Sequence, residues 1–302
     1  MTDPITIFRG TTGLNTVDDP ARINFSENGL SDVTEIVNMT IDRSGRPMTR
    51  TGLTLLQSGN FHSLFCDHKD CFIVKDTSLY KVNNDYTLTG IRSGLTSGAK
   101  LDYVQFGEYT YYVNGFERGR IKDAVSSIWN QGIYTGVDTT KAFTGPISGE
   151  HIEVFNGRIF ISSGNVIYWS ELFNFDVFNH SENFIQFNSK ILFIQAVDNG
   201  LYISTKRNVY FLRMMDTGKF MPILITPYPG IEWTNCKSNI SPRELNLETF
   251  GYIVAWNSPE GAIIGMNNGF IMNLNKDKII YPENVSTGFG SFMGYHYIHG
   301  ME

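Results

Sequence analysis

Residues 153–171, EVFNGRIFISSGNVIYWSE, alternate short apolar runs with turn signals. Val154 and Phe155 end one predicted strand, and Asn156-Gly157 is the strongest two-residue hairpin signal available. Residues 158–162 make a second strand alternating about Ile159 and Ile161. Ser163-Gly164-Asn165 turns the chain again, and residues 166–170 make a third strand. The same figure recurs at residues 61–82, 101–122, 190–213 and 252–274. Equivalent central positions are Phe72, Tyr112, Phe160, Tyr202 and Ile263, spaced by 40, 48, 42 and 61 residues. A period of roughly 40–50 residues holding several short antiparallel strands is that of a propeller blade. The pattern therefore predicts an all-β fold, a single β-propeller of five to six blades. Five copies are visible. A sixth would be assembled from the termini, with residues 5–8 or 40–42 pairing with the aromatic tail strand at 292–298.

The pattern also divides the chain. Residues 1–60 read as an N-terminal arm, one short helix and a hairpin, and residues 61–302 as the propeller. The helix is predicted over residues 31–39: Ser31 caps it, Asp32 and Glu35 favour its first turn, and Val33, Ile36 and Val37 share a face. The hairpin spans residues 38–52 around Ser44-Gly45 and carries Arg43, Arg46 and Arg50. Arg46 and Arg50 are four apart on a strand, so alternation gives them one face. The three arginines are candidate subunit contacts, to pair with acids of a neighbouring copy or else to meet a phosphate backbone. Residues 122–149 read as a polar connector enclosing Trp129. Residues 172–188, with five Phe, read as a loop and outer strand. The long last step is filled by an insertion at 222–247, rich in Pro, Asn and Thr, expected to project as a docking or gating loop.

Composition narrows the class. At 302 residues, 41% hydrophobic and 14% aromatic, the chain can bury a large core and is not disordered. Its 22 Phe and 15 Tyr suit pleated surfaces. A net charge of −6 argues against a duplex-DNA clamp, which shows a basic stripe. No signal-peptide pattern and no apolar run of about 18 residues is visible, so neither secretion nor a membrane anchor is expected. Three cysteines do not make a disulfide framework, and a reducing cytoplasm is the simplest place of synthesis.

Candidate chemistry is thin. Cys66, His68 and Cys71, with His62 nearby, form the tightest ligand-like group, but a zinc clip needs four ligands and no second Cys pair exists. His296 and His299 stand three apart, which on a strand points them to opposite faces. The acids Asp18 and Asp19, and Glu171 with Asp176, are the nearest to a glycosidase pair, yet the sialidase-type Asp-box turn is missing. There is no Gly-x-Ser-x-Gly elbow and no P-loop. Trp169, Tyr202, Tyr210, Trp233 and Trp256 are the aromatics available to stack sugars, or else to pack blade on blade. The reading is of a protein without enzymatic activity, metal or cofactor.

Gly13-Leu14-Asn15, Asn38-Met39 with Ile41-Asp42, Gly45-Arg46 and Arg50-Thr51-Gly52 resemble the opening region of propeller proteins in tailed bacteriophages. The later runs VIYWS, AVDNGLYIST and NVYFL are similar to their blades. The family is that of head-to-tail connectors and tail nozzles, the tail tubular or stabilisation proteins, and the resemblance covers residues 13–274. It implies a structural virion protein of the tail, made in the host bacterial cytoplasm. Several copies, expected to be six, would form a ring that retains the genome and later conducts it. Its partners would be other copies, adaptor, portal-proximal or tail-tip proteins, and DNA passing without sequence-specific binding. The family motif carries no catalytic residues. Two other readings follow from the propeller itself: a carbohydrate-binding tail component that engages receptors, and a propeller glycosidase.

Overall fold

A computed structural model describes residues 10–23, 30–42, 44–50, 52–67, 69–134, 136, 140–239, 251–275, 278–282, 284–293 and 296–302. The chain begins with an N-terminal module. In it β1 (Thr11–Leu14) runs parallel to β2 (Ser31–Val33), and β3 (Met39–Ile41) pairs with β4 (Pro47–Thr49) as a hairpin. The hairpin lies where the sequence puts it. The predicted helix does not form. Residues 31–33 pair with β1 instead, and among the described residues the sole helical turn is a 3-10 turn at Pro20–Arg22. The capping signals at Ser31 were real but local. Val33, with its β-branched side chain, is drawn into a ladder, where tertiary pairing outweighs weak helix propensity.

Five antiparallel sheets follow. Blade one is β5 (Phe61–Cys66), β6 (Cys71–Lys75), β7 (Ser78–Val82) and β8 (Leu88–Arg92). Blade two is β9 (Asp102–Phe106), β10 (Tyr109–Val113), β11 (Arg118–Lys122) and β12 (Val125–Ile128). Blade three is β13 (His151–Phe155), β14 (Arg158–Ser163) and β15 (Val166–Glu171), whose outer edge is shared by β16 (Asn174–Phe178) and β17 (Phe184–Gln186). Blade four is β18 (Ile191–Val197), β19 (Gly200–Thr205), β20 (Val209–Met214) and β21 (Phe220–Thr226). Blade five is β22 (Cys236–Ser238), β23 (Ile253–Ser258), β24 (Gly261–Gly265) and β25 (Ile271–Asn273). A hairpin of β26 (Gly288–Met293) and β27 (His296–Met301) ends the chain.

The fold is thus an all-β propeller with five blades. The repeat template holds at its turns. Asn156 and Gly157 both take positive φ, 48° and 68°, and register Phe155 opposite Arg158, as a two-residue primed turn requires. The five central positions fall on β6, β10, β14, β19 and β24, and all are buried. Apolar clusters sit between successive blades. Phe72, Tyr103 and Tyr112 join blades one and two. Tyr111, Trp129 and Ile159 join two and three, Phe160, Trp169 and Ile194 three and four, and Phe193, Tyr202 and Trp256 four and five. Blade five then packs through Ile253 and Ile264 on Phe292 and Tyr297 of the C-terminal hairpin. Among the described residues no such cluster joins blade five to blade one.

Three expectations are corrected here. The terminal strands do not share a sixth blade: Thr40 pairs with Met48, and the tail pairs with itself. Residues 5–8 lie outside the described residues. The connector at 122–149 is not merely polar, since it carries the outer strand β12 and a fully buried Trp129. The proposed insertion at 222–247 begins inside β21, whose partner is β20, and continues through the buried Ile231 and Thr234 into β22. Residues 240–247 of that insertion lie outside the described residues. Deleting 222–247 would therefore remove blade structure rather than a projecting loop.

Candidate functional site

The first strands of blades two, three and four lie side by side, and charged side chains of β9 and β13 meet each other and polar groups on and beside β18. Alternation puts His151 and Glu153 on one face of β13. Each gathers charge from neighbouring elements. His151 Nδ1 lies 3.5 Å from Asp102 of β9, and its Nε2 lies 3.6 Å from Glu232, in the segment between blades four and five. Glu232 also lies 3.6 Å from Lys190, just ahead of β18. The His151 side chain is 2% exposed. Burial by itself would lower its pKa, but the flanking carboxylates of Asp102 and Glu232, at ion-pair distance, outweigh that and hold it above the ordinary imidazole value; among the described residues Nε2 makes no hydrogen bond of good geometry. Burial would raise Glu232, and His151 with Lys190 brings it below the usual carboxylate range.

Trp233 completes this layer. Its ring sits 5.0 Å from that of His151, and Lys100 lies over it at 5.7 Å. Trp233 holds φ at 68°, a conformation a bulky residue rarely adopts. Lys100 Nζ also donates to Thr287 Oγ1 and the Gly288 carbonyl of the C-terminal hairpin. One residue pair along β13, Glu153 forms the second layer. Its carboxylate, 2% exposed, accepts from Lys237 at 3.0 and 3.2 Å, from the Ala196 amide at 3.0 Å and from Gln195 at 2.5 Å.

Asp102 and Glu232 approach opposite nitrogens of His151, so the three side chains do not converge on one point. Among the described residues no group of His, Cys, Asp or Glu is arranged to hold a metal. What this arrangement does is tie blades two, three, four and five to one another through paired charges, and to the tail through the hydrogen bonds of Lys100. Lys237→Met would leave the buried Glu153 carboxylate with neutral donors alone. Because Lys237 is partly exposed, a loss of about 1–3 kcal/mol is expected, read as a lowered urea midpoint at unchanged slope.

The residues singled out from sequence are scattered. Arg46 and Arg50 are exposed on the N-terminal hairpin, without an ion-pair partner among the described residues; Arg43 lies outside them. Asp42 accepts from the amides of Ser44 and Arg46 and from the Ser44 hydroxyl, which hold its carboxyl below the usual range. Cys66 and Cys71 face each other at the mouth of the β5–β6 hairpin, as the spacing predicts, and are joined as a disulfide. The pair is thus joined to itself and does not offer two thiolates to a metal. His68 lies outside the described residues, and His62 bonds Ser63. Burial pushes the remaining thiol, Cys236, up to about 12.

His299 is half-buried, bonded to Asn257 and stacked between Tyr281 and Tyr297, while His296 registers opposite Met293 at the end of the hairpin. Asp19 caps the 3-10 turn and Asp18 accepts from Asn15. Asp176 accepts from Arg120 and Trp129, whereas Glu171 accepts from Asn183, so the two acids serve separate contacts. Trp169, Tyr202 and Trp256 belong to the interblade cores, and Tyr210 packs on one of them. Of the five aromatics only Trp233 joins the charged layer.

The axial residues were not anticipated. The signal was present: in HIEVF, a His and a Glu occupy alternate positions of an otherwise apolar strand. A charge buried on the first strand of a blade must be answered from outside that blade, as Asp102, Glu232 and Lys237 do here.

The class defined by this architecture is the five-bladed β-propeller. No protein-family model matches the chain, and no curated protein matches it. Solved propeller structures do resemble it. Virginiamycin B lyase from Staphylococcus aureus is 14% identical, with 78% of this chain and 74% of that one covered and a TM-score of 0.46. The N-terminal domain of Nup159 is 8% identical, over 79% and 71% of the two chains, with a TM-score of 0.45. The computationally designed Ika8 protein is 8% identical, over 81% and 69%, with a TM-score of 0.44.

Proposed function

We propose that this chain is a structural virion protein of a tailed bacteriophage, a ring-forming component of the tail nozzle or head–tail junction. The resemblance of its opening motifs suggests the family. The observation that carries the reading is the N-terminal module in which those motifs gather. Gly45 packs on Thr11 and Leu30, bringing β1 and the β3–β4 hairpin together, and Lys278 pairs with Asp32 at 2.8 Å. On this module and just after it Met39, Met48, Leu53, Leu55 and Leu56 are exposed, as are Arg46 and Arg50. Exposed apolar side chains close in sequence to charged ones suit a surface that an assembly partner covers. Its partners are other copies, adaptor, portal-proximal or tail-tip proteins, and the passing genome. The role is mechanical and needs no catalysis, and it places the protein in the virion tail after synthesis in the bacterial cytoplasm. Among the described residues no helix is long and apolar enough to cross a membrane.

Quantitative mass spectrometry on purified particles of the source tests this. A small fixed number of copies per portal ring is expected. Absence from particles would overturn the proposal.

A further inference from the structure

Blade one differs from the other four in its second strand. In β10, β14, β19 and β24 at least four consecutive residues are buried, so those blades are covered on both faces. On β6 burial alternates: Phe72 and Val74 are buried toward blade two, and Ile73 between them is not. The register puts Ile73, Tyr80, Val82 and Leu88 on this second face, together with Phe61 and, at the bulge of β5, Leu64. None of the six is buried or enters an apolar cluster, and Leu64 is 66% exposed. The single charge on the face is Lys75, which lies over the Phe61 ring at 5.4 Å and has no ion-pair partner among the described residues.

The C-terminal hairpin carries a matching surface. β26 packs beside β22, and the Gly288 amide donates to the Glu232 carbonyl. Phe292, Tyr297 and His299 turn toward blade five. Pairing in register puts Phe289, Ile298 and Glu302 on the opposite face. The Phe289 ring lies over Gly300 and is 55% exposed, and Glu302 is exposed. Stacked as neighbouring blades stack, β26 would meet β5 and β27 would meet β6. Phe289 then comes to Phe61 and Leu64, Ile298 to Ile73, and Glu302 to Lys75, which sets apolar on apolar and acid on cation. Within one copy the hairpin is held on blade five, where the Tyr297 hydroxyl donates to Thr234, and blade one is held on blade two. Both faces stay uncovered. End units of a packed series need polar outer faces to keep copies apart, and these are apolar.

We propose that the uncovered face of blade one receives the C-terminal hairpin of a second copy of this chain. The contact is heterologous, each copy giving one hairpin and receiving another, and it closes into a ring when the rotation between copies permits. It deepens the ring-forming reading above and rests on it, but it concerns the purified chain alone.

The test uses full-length protein. Sedimentation of the wild type should show an oligomer. Leu64→Asp and Phe289→Asp, at exposed positions on the two faces, should each convert it to monomer with unchanged far-ultraviolet circular dichroism. Lys75→Glu should weaken it, and Glu302→Lys added in the same chain should restore it. Phe61→Cys and Phe289→Cys, made in separate, differently tagged chains, should be joined by a short bismaleimide into a heterodimer only when mixed, with the wild type as the control for Cys236. A monomeric wild type would overturn the proposal, as would an oligomer indifferent to both aspartates. So would a chain carrying both cysteines that is bridged within itself at high dilution, because its own hairpin would then be the occupant. Failure here, with the protein still present in particles, would reject the hairpin contact and leave the virion reading standing.

Discussion

Trp256→Ala should destabilise the protein by about 3–5 kcal/mol, the range for truncating a large buried aromatic. Trp256 lies on β23 with no exposed surface, and its ring contacts Phe193 at 5.9 Å and Tyr202 at 5.4 Å. The wall around it is close: a Cβ on Gly265 would meet the Trp256 and Tyr202 rings at 2.8 and 2.6 Å. Little can move in to fill the space, so the cavity term is retained. Trp256→Phe should cost less, for two reasons. It keeps most of the ring, and it removes an indole N–H that has no hydrogen-bond partner. Phe116→Ala, at a residue 67% exposed, should change stability by less than about 0.5 kcal/mol. Urea unfolding of the three variants orders them, and equal losses for Trp256→Ala and Phe116→Ala would refute the packing assignment.

His151→Leu should cost about 3 kcal/mol at pH 5.5, because it strips the buried cation from between Asp102 and Glu232. The pH profile separates this from simple packing loss. A histidine whose folded pKa is raised contributes stability that is full below the ordinary value of 6.5 and is lost as pH rises through its folded value. A glutamate whose folded pKa is lowered contributes above 4.5 and loses that contribution as pH falls through its folded value. Both contributions are complete between 4.5 and 6.5. The other charges near the imidazole are Lys190, paired with Glu232, and Lys100, over Trp233. Wild-type stability should therefore decline as pH rises above 6.5 through the folded value of His151, and His151→Leu should flatten that limb. A parallel decline in both proteins would show that the imidazole is neutral throughout.

The blades were legible because their information is local. Asn156-Gly157 sets a two-residue turn, and Ile159 and Ile161 set a pleat, whatever lies elsewhere. The central positions spaced along the chain are core for the same reason. What depends on distant partners was not legible. Val33 finds Leu14 across the β1–β2 pairing, and Ser31–Val33 becomes a strand despite its helix-start residues. Pro222 reads as a breaker but sits in an outer strand, where a missing N–H is tolerated. The charged layers were invisible for a related cause. His151, Asp102 and Glu232 are separated by 49 and 81 residues, and only the ring brings them together. Of the arginines chosen from sequence, Arg46 and Arg50 share an exposed hairpin, which fits a role at a surface but not in the core.

Among the described residues apolar clusters link the blades in series from one to five and then to the tail, with none leading back to the start. In its apolar packing the molecule resembles a short linear array more than a closed hoop. In such an array a disturbance is felt mainly by adjacent units, and the end units, held on one side, are the first to loosen. Blade one is such an end. Among the described residues its apolar cluster is shared with blade two alone, and it carries the Cys66–Cys71 cross-link. A covalent tie at the least supported blade restrains the unit that would otherwise fray first, leaving the charged layers to hold the remaining blades in register.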